Sequence, residues 1–218
     1  MTVVKFGAIL FDFDYTLADS SAGIVECVNA SLRELGLPLA SPAVIRRTIG
    51  MSLQRTFITV AGEQHATKFE AFSACFKRRA DQVMSALTSL YPQVGPVVRE
   101  LKRRASRVGI VSTKFRYRIE YTLQREGIGD LFDVVIGGEN VSEHKPSPQG
   151  IEQAIKVLRL TPSESLYVGD TTIDAQTAAR AQVAFLAVLS GVTPRHEFSE
   201  HPTVGIVDHL GQLIEFLA

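Results

Sequence analysis

Two acidic side chains, Asp12 and Asp14, stand two positions apart directly after the nearly all-apolar run Val4–Phe11. Such a run is typical of a parallel strand buried on both faces, and open α/β sheets bind ligands where such strands end. Neighbouring carboxylates repel each other, so a crevice holds them together readily only when a cation joins them. The pattern therefore indicates a site for a hard cation such as Mg²⁺. A solvated turn with an aspartate capping the next helix would explain the same residues.

A second acidic pair follows another apolar run. Leu166–Val168 leads into Gly169 and Asp170, and Asp174 lies one helical turn further along. Both carboxylates can therefore face one pocket at the end of a strand. If Asp170 or Thr171 merely capped the next helix, one aspartate would be explained, but not the acidic arrangement at a second strand end.

Three further candidates are polar residues beside predicted elements. Ser112 and Thr113 close the predicted strand Val108–Val111, where hydroxyl and backbone N–H groups can donate to a phosphate. Lys145 precedes a predicted helix in a loop stiffened by prolines, and its ammonium could serve as a point charge for phosphate. Each signal is weak by itself, because such hydroxyls commonly cap helices and loop lysines are commonly solvated.

The elements that must position these residues alternate between strand and helix. Strands separated by helices of about 10–15 residues indicate βαβ units, so the predicted fold is α/β with a doubly wound parallel sheet. After Val4–Phe11 the predicted strands are Val108–Val111, Val134–Ile136, Ser165–Val168, Val183–Val188 and Val204–Val207. The predicted helices among them are Phe115–Glu126, Pro148–Leu158, Thr172–Ala181 and His209–Phe216.

The long stretch between the first two strands has a different pattern. It predicts only helices: the amphipathic Ser20–Leu35, the short Pro42–Ile49, another segment after Gly50, and the long Gln64–Leu87. The side of the long helix that we expect to be buried carries Phe69, Phe72, Phe76, Val83 and Leu87. Residues 18–87 are therefore expected to form a helical insert in the first crossover of the sheet.

Composition excludes several classes of protein. The chain has 218 residues, with 23 basic and 23 acidic side chains, so no general basic field is available for nucleic acid or anionic lipid. Apolar residues make up 45% of the chain, which is enough to build a core. Cys27 and Cys75 form no disulfide framework, and no run approaches the roughly 20 apolar residues of a membrane span. We therefore expect a cytoplasmic protein with reduced thiols.

The order of the motifs is more specific than any one of them. A D-x-D-x-T segment at residues 12–16, a strand-end Ser-Thr, a Lys-Pro and a G-D-x-x-x-D segment at residues 169–174 follow one another. This series resembles the haloacid dehalogenase-like (HAD) hydrolase superfamily, and within it the phosphoglycolate-phosphatase-like branch. The resemblance covers nearly the whole chain. It implies a Rossmann-like core of residues 1–17 and 88–218, with residues 18–87 as an inserted α-helical cap domain.

The resemblance implies a role for each candidate side chain. Asp12 matches the nucleophile that forms an aspartyl-phosphate. Asp14 matches the general acid/base that protonates the leaving oxygen and then activates water. Ser112 and Lys145 match groups that hold the phosphoryl oxygens, and Thr113 stands beside them with its backbone N–H.

The resemblance also implies a Mg²⁺ cofactor. The matching ligands are Asp12, the backbone carbonyl of Asp14, and Asp170, while Asp174 and Thr16 occupy supporting positions. A cation here would offset the repulsion between an anionic nucleophile and an anionic phosphate, which is the main requirement of phosphoryl transfer.

Two positions depart from the family pattern. Tyr15 stands where members usually have Gly, and a left-handed backbone at this position would strain a tyrosine. We expect its ring at the mouth of the pocket. Thr113 stands where the branch usually has Asn, which alters a side-chain contact but leaves the backbone N–H available. Neither departure removes a catalytic atom.

A cap inserted at this point closes over the site and selects the substrate in this superfamily. The segments Asp19–Ser21 and Ser89–Pro92 are expected to be its hinge strands. Candidates for substrate contact or local positive potential are Arg46, Arg47, Arg55, Lys114, Arg116 and Arg118. A solvated surface explains each of these cations equally simply.

The implied function is a Mg²⁺-dependent phosphatase for a small phosphorylated metabolite, such as a phosphoglycolate-like phosphomonoester. The protein would act as a monomer or homodimer, without nucleic acid or membrane partners. A pyrophosphatase or phosphomutase of the same fold, or a non-catalytic phosphate-binding module, remain alternatives. The segment Ser20–Leu35 lacks the histidine typical of the mutases. A non-catalytic module would be expected to have lost one of Asp12, Asp14, Lys145 or Asp170.

Overall fold

A parallel sheet forms the centre of the fold in the computed structural model, which describes residues 6–104 and 106–218. The strands are β1 (Ala8–Phe11), β2 (Ala18–Asp19), β3 (Ser89–Leu90), β4 (Arg107–Val111), β5 (Val134–Ile136), β6 (Ser165–Gly169), β7 (Ala184–Val188) and β8 (Gly205–Val207). Six of them form one sheet in the order β5-β4-β1-β6-β7-β8, with every neighbouring pair parallel. All six predicted strands are present, although Val4 and Lys5 lie outside the described residues.

Helices cover both faces of this sheet. They are α1 (Ser21–Glu34), α2 (Pro42–Arg46), α3 (Leu53–Ala61), α4 (Phe69–Val83), α5 (Val94–Arg103), α6 (Arg116–Arg125), α7 (Gln149–Leu158), α8 (Thr172–Arg180) and α9 (Leu213–Phe216). Alternate residues of a strand point to opposite faces, so Ile9 and Phe11 pack with α5, α6 and α9. Leu10 packs on the other face with α7 and α8. The prediction of an α/β fold with a doubly wound parallel sheet is confirmed.

The register of the central strands gathers their carboxyl ends. Phe11, the last residue of β1, lies opposite Ile110 of β4 and Val168 of β6. The residues that follow these three strands therefore emerge at the same edge of the sheet. The backbone N–H of Asp12 still donates to the carbonyl of Val168 at 2.9 Å, which fixes the start of the loop after β1.

The helices α1–α4 form a segment with its own apolar cluster. Val28 and Leu32 of α1 pack with Phe57 of α3 and Phe72 of α4, and all four side chains are fully buried. The chain enters and leaves this segment through β2 and β3, which pair antiparallel. Both expected hinge strands thus lie side by side.

One helix prediction was wrong. Instead of one helix over Gln64–Leu87, a 3₁₀ helix spans Glu63–Lys68 and α4 ends at Val83. The N–H of Leu87 bonds the carbonyls of both Val83 and Met84, which is the tightened last turn common at helix ends. Leu87, expected on the buried side, is 38% exposed.

The helices are short compared with the thickness of a bilayer. The longest, α4, has 15 residues, whereas a span needs about 20 predominantly apolar ones. Within residues 6–104 and 106–218, no helix has both the length and the apolar character needed to cross a membrane.

Candidate active site

Four of the predicted charged residues meet at the carboxyl edge of the sheet. Asp12, Asp170 and Asp174 are at most 1% exposed, and Lys145 is 7% exposed. One carboxylate oxygen from each of the three aspartates lies within 4.8 Å of the other two. Three acids and a single ammonium thus share a space from which water is largely excluded.

Lys145 is the cation of this cluster. Its Nζ donates to Asp174 Oδ1 at 2.6 Å and lies 2.9 Å from Asp12 Oδ1, the second contact being an ion pair without good hydrogen-bond alignment. Burial alone would lower the pKa of this ammonium, but the charges of Asp12 and Asp174 outweigh burial and raise its pKa well above the ordinary value. Lys145 therefore stays charged at any pH near neutrality.

Asp174 is held by its neighbours on every side. Its Oδ2 accepts from the backbone N–H of Thr171 at 3.1 Å and from the Thr171 hydroxyl at 2.5 Å. Its Oδ1 accepts from Lys145 and from the hydroxyl of Tyr167, the latter at 3.3 Å. Thr171 is the N-cap of α8, and Asp174 completes its capping box. Helix capping thus explains the positions of Thr171 and of Asp174 Oδ2. It does not explain Asp174 Oδ1, which binds Lys145, or the burial of Asp170.

Asp12 and Asp170 have carboxylate oxygens that accept no hydrogen bond from the described residues. Within the described residues, Asp12 Oδ2 and Asp170 Oδ2 are buried without a hydrogen-bond partner. Burial, with Asp174 adding to it and Lys145 opposing, raises the pKa of Asp12 to about 6. Burial, followed by the charges of Asp174 and Asp12, raises the pKa of Asp170 well above its usual range. Unpartnered buried carboxylate oxygens are costly, and a hard divalent cation is the ligand that suits them.

Asp14 is turned to a different partner. Lys114 Nζ lies 2.9 Å from Asp14 Oδ1 and also donates to the hydroxyl of Ser20 at 3.1 Å. Lys114 is 9% exposed, so this is a buried ion pair and not part of a solvated helix face. No local sequence pattern predicts this ion pair, because 100 residues separate the two side chains along the chain.

A line of hydroxyl groups continues from Lys114 toward the helical segment. The Thr88 hydroxyl lies 3.1 Å from that of Ser20 and donates to the backbone carbonyl of Met84 at 2.8 Å. Ser20 and Thr88 are each 1% exposed. The Asp14–Lys114 pair is therefore connected to both chain segments that join the helices to the sheet.

Ser112 and Thr113 stand beside this cluster, at the end of β4. The backbone N–H of Ser112 donates to the carbonyl of Ile136 at 3.0 Å. Its hydroxyl accepts from the N–H of Lys114 at 3.3 Å, so its own proton is free to donate. Thr113 is half-buried and lines the cleft described below.

Tyr15 adopts the left-handed backbone expected of a glycine, with φ of 61°. Its ring is buried and does not line the cleft, contrary to the expectation that it would lie at the pocket mouth. The backbone carbonyl of Tyr15 accepts from the hydroxyl of Ser190, in the loop after β7. The hydroxyl of Tyr91 donates to the backbone carbonyl of Ser190 at 3.4 Å. The loop after β7 is thus bonded to the turn after β1 and to the residue that follows β3.

The same loop brings Gly191 against Asp170. A Cβ atom added to Gly191 would lie 2.0 Å from Asp170 Oδ2, far inside van der Waals contact. Because Ser190 is held from two sides, the loop has little freedom to move away. Only glycine leaves Asp170 in its present position.

Replacing Gly191 should therefore disturb Asp170 specifically. As a test of whether Asp170 ligates a divalent cation, Gly191→Ala is expected to weaken the affinity for Mg²⁺ by roughly 10–100-fold, the effect usual for mutations of groups that orient a metal ligand. Isothermal titration with Mg²⁺ at pH 7.5 measures it. Gly129→Ala is the matched control, because a Cβ there would lie 3.5 Å from its nearest neighbour. Equal Mg²⁺ affinity in Gly191→Ala and the control would show that Asp170 is not a ligand.

A cleft opens from Asp14 toward the helical segment. It encloses about 630 Å³ including the space at its open mouth, and its walls come from α1, α3, α4, the α2–α3 connection and the start of α6. Of the six cations proposed above, Lys114 and Arg118 line it. Arg46, Arg47 and Arg55 are exposed and absent from its lining, and Arg116 is exposed and paired with Glu120.

Comparison with known sequences places this site in a wider group. Residues 9–188 match the sequence model of the family described as haloacid dehalogenase-like hydrolase. A phosphoglycolate phosphatase from Rhodobacter capsulatus is 32% identical over 216 residues, covering 92% of this chain and 96% of that protein. The pyrophosphatase PpaX of Bacillus mycoides is 27% identical over 215 residues, covering 99% and 98% respectively.

Solved structures give the same result for the fold. A haloacid dehalogenase-like hydrolase from Bacteroides fragilis superposes with a TM-score of 0.93 at 44% identity, covering 96% of this chain and 100% of that one. A predicted phosphoglycolate phosphatase of Haemophilus somnus superposes with a TM-score of 0.86 at 24% identity, covering 98% of each chain. Sequence and structure thus point to one group of proteins along nearly the full length of the chain.

Proposed function

The chain belongs to the haloacid dehalogenase-like hydrolase family and is a phosphatase of that family, and on this premise we propose how its side chains work. The proposed reaction is Mg²⁺-dependent hydrolysis of a small phosphomonoester through an aspartyl-phosphate at Asp12. The observation that supports it best is the buried Asp12 carboxylate, which has an unpartnered oxygen beside Lys145 and Asp170. A buried carboxylate with an unpartnered oxygen can act as a nucleophile once a metal ion and a phosphoryl group are bound beside it.

Binding of the phosphoryl group falls to residues around Asp12. The Ser112 hydroxyl has a free proton to donate, and Lys145 supplies a permanent positive charge. Lys145 already touches the nucleophile, so a phosphoryl oxygen bound to it would lie next to the attacking carboxylate. This arrangement supplies the positioning on which phosphoryl transfer depends.

Asp14 is proposed to move the proton. It would take up a proton as the substrate binds, give that proton to the leaving oxygen as Asp12 attacks phosphorus, and regain one from the water that cleaves the aspartyl-phosphate. Its present partner, Lys114, orients the carboxylate and neutralises its charge while no substrate competes for it. Lys114, which the sequence indicated only as a candidate source of local positive potential, is therefore proposed as a positioning residue for Asp14.

The donors around Asp12 fit a bound Mg²⁺. Asp12 and Asp170 each offer a buried free oxygen, whereas both oxygens of Asp174 are occupied by protein donors. Asp12, Asp170 and the backbone carbonyl of Asp14 would hold the ion, and Thr16 fixes Asp170 by donating to its Oδ1 at 3.2 Å. When bound, the ion would neutralise negative charge on the phosphoryl oxygens and on the nucleophile.

The helical segment, residues 18–87, is proposed to act as the cap of this site. Its helices line the cleft above Asp14, and its two linkers pair as β2 and β3. Movement about these linkers would admit substrate and exclude water during the reaction.

Phosphate release from a panel of esters tests the activity. The panel contains phosphoglycolate, pyrophosphate, alkyl phosphates and aryl phosphates, each with Mg²⁺ and with EDTA. We expect turnover that requires Mg²⁺, and borohydride trapping during turnover should convert Asp12 to homoserine. Release of phosphate from no member of the panel would overturn the proposal. Turnover without formation of homoserine at position 12 would overturn the proposed intermediate alone.

Mg²⁺ should also stabilise the fold in a pH-dependent way. At about 100 times its Kd the ion contributes roughly 2.7 kcal/mol, which raises Tm by roughly 5–10 °C for a chain of this size. The pKa of Asp12 is about 6, so below this pH a proton occupies the carboxylate and competes with the ion. The Mg²⁺-induced rise in Tm should therefore shrink as the pH falls from 7.5 to 5. Thermal melts with Mg²⁺ and with EDTA at both pH values measure it, and a constant rise would contradict the proposed ligand.

A further inference from the structure

Apolar side chains from several elements line the part of the cleft beyond Asp14, together with the hydroxyl groups of Thr48, Thr56 and Thr113. Ile49 and Met51 come from the α2–α3 connection, Leu53 from α3, and Phe76 from α4, while Phe115 stands at the start of α6. Phosphate bound at Asp12 would place the leaving group of a phosphomonoester in this space, because Asp14 lines the cleft and serves the leaving oxygen. The leaving group would therefore meet aliphatic and aromatic carbon.

The cations of the cleft are largely neutralised by the protein itself. Lys114 is paired with Asp14, and Arg118 is paired with Asp81 at 2.7 Å. Among the described residues that line the cleft, Lys77 is the one cation without a carboxylate partner, and it is exposed. A carboxylate on the leaving group, such as that of glycolate, could pair with Lys77 only at an exposed position, where water weakens the attraction. Elsewhere in the cleft it would have to compete with Asp14 or Asp81 for a cation, or lose its hydration against apolar side chains.

Phe115 is fixed in its place in the cleft wall. Lys77 Nζ lies 5.4 Å and Arg118 Cζ 5.3 Å from the centre of its ring, both within the range of cation–π attraction. Arg118 is itself anchored by Asp81 and by the backbone carbonyl of Lys77 at 3.1 Å. The ring is thus a preformed surface between α4 and α6, and a preformed apolar surface binds an apolar group with little loss of conformational entropy.

We propose that the preferred substrates are phosphomonoesters whose leaving group is an apolar alkyl or aryl body larger than glycolate. This inference rests on the phosphatase activity proposed above and specifies its substrate class. The phosphoryl end is held by Ser112 and Lys145, while the body of the leaving group packs against Met51, Phe76 and Phe115. Selection among phosphomonoesters then follows the apolar area that each leaving group buries.

A series of n-alkyl phosphates tests the inference. Ethyl, butyl and hexyl phosphate have alcohols of nearly equal acidity, so differences in kcat/KM report binding of the alkyl chain. We expect kcat/KM to rise by roughly fourfold for each methylene that the cleft buries, which is up to about 250-fold from ethyl to hexyl phosphate. The kcat/KM for phosphoglycolate, measured in the same assay, should be lower than that for hexyl phosphate.

Two variants locate the effect in the cleft. Phe115→Ala and Met51→Ala each remove part of the apolar wall, so both should flatten the dependence of log(kcat/KM) on chain length. Tyr121→Ala removes an aromatic ring from α6 that is 54% exposed and outside the cleft, and it should keep the wild-type slope. Circular dichroism confirms that each variant is folded, and Met51→Ala provides the test if Phe115→Ala is not.

The possible failures are distinguishable. Phosphate release that is independent of chain length, or fastest with phosphoglycolate, would overturn this inference while the proposed phosphatase activity stands. A wild-type slope in both folded cleft variants would overturn the assignment of the binding surface. No phosphate release from any ester in the presence of Mg²⁺ would overturn the proposed function and this inference with it.

Discussion

Asp12→Asn is expected to lose turnover by roughly 10⁴-fold or more, because an amide cannot attack phosphorus to form the acyl-phosphate. The substitution preserves the shape of a fully buried side chain, so the loss would not come from a cavity. Steady-state phosphate release with the best substrate of the panel measures it. Asp12→Ala serves as a check, since asparagine can slowly revert to aspartate by deamidation and alanine cannot.

The same variant should be more stable than the wild type when Mg²⁺ is removed. The pKa of Asp12 is raised from 3.8 to about 6, so between these values the folded state binds the proton more tightly than the unfolded chain. Stability of the metal-free protein therefore falls as the pH rises through this window, by an amount on the order of 3 kcal/mol once Asp12 is ionised. Because asparagine does not ionise, the variant does not lose this part of the free energy of unfolding as the pH rises.

Chemical denaturation in EDTA separates the two effects of the variant. At pH 7 we expect Asp12→Asn to unfold at higher urea concentration than the wild type, by roughly 1–3 kcal/mol, and at pH 4 the difference should nearly vanish. Mg²⁺ should reverse the order at pH 7, since the wild type gains a ligand that the variant holds poorly. Loss of activity together with loss of metal-free stability would mean that Asp12 is structural.

Lys145→Met is expected to have the opposite effect on stability. Removing the ammonium leaves the buried Asp12 and Asp174 without their cation and close to Asp170, and breaking a buried ion pair from one side costs roughly 3–5 kcal/mol. Turnover should fall as well, because the phosphoryl group loses its positive partner. Methionine keeps most of the length of the side chain, so the effect reports charge more than packing.

The pH dependence identifies the origin of this loss. In the wild type the pKa of Lys145 is raised above 10.5, so its stabilising charge is present throughout the acid and neutral range and is lost only at higher pH. In Lys145→Met the unpaired carboxylates take up protons more readily, and stability should increase as the pH falls from 8 to 5. Urea denaturation measures this dependence, with Lys156→Met, an exposed lysine of α7, as control. A loss that is the same at pH 5 and pH 8 would indicate a packing defect instead.

The position of the candidate site could be predicted from local sequence because strand ends carry it. An apolar run followed by Asp12, and another followed by Asp170, identify two carboxyl ends of one parallel sheet before any pairing is known. The parallel arrangement then requires that these ends meet, and the register of Phe11 with Val168 brings them together. The strained backbone of Tyr15 was also expected, because the family that the sequence resembles usually has Gly at this position, and Gly tolerates a positive φ.

Contacts between distant segments could not be predicted in this way. Lys114 follows a strand-end motif in a manner compatible with a solvated helix start, and only the folded chain places it on Asp14. Gly191 lies in an unremarkable loop of the sequence, and its need to lack a side chain comes from the approach of Asp170. Arg46 and Arg55 had the right charge for substrate contact, but the short helices that carry them turn these side chains toward solvent.

The pairing of β2 with β3 has a consequence for how such proteins diversify. The backbone N–H of Tyr91 donates to the carbonyl of Leu17 at 2.9 Å, so the helical insert leaves and rejoins the core at two adjacent points. The entropy of closing that loop grows only slowly with its length, so helices can be added, shortened or exchanged there with little change in the stability of the core. The preference for a leaving group can therefore change when this one contiguous segment is exchanged, while the aspartates at the strand ends stay in the same positions.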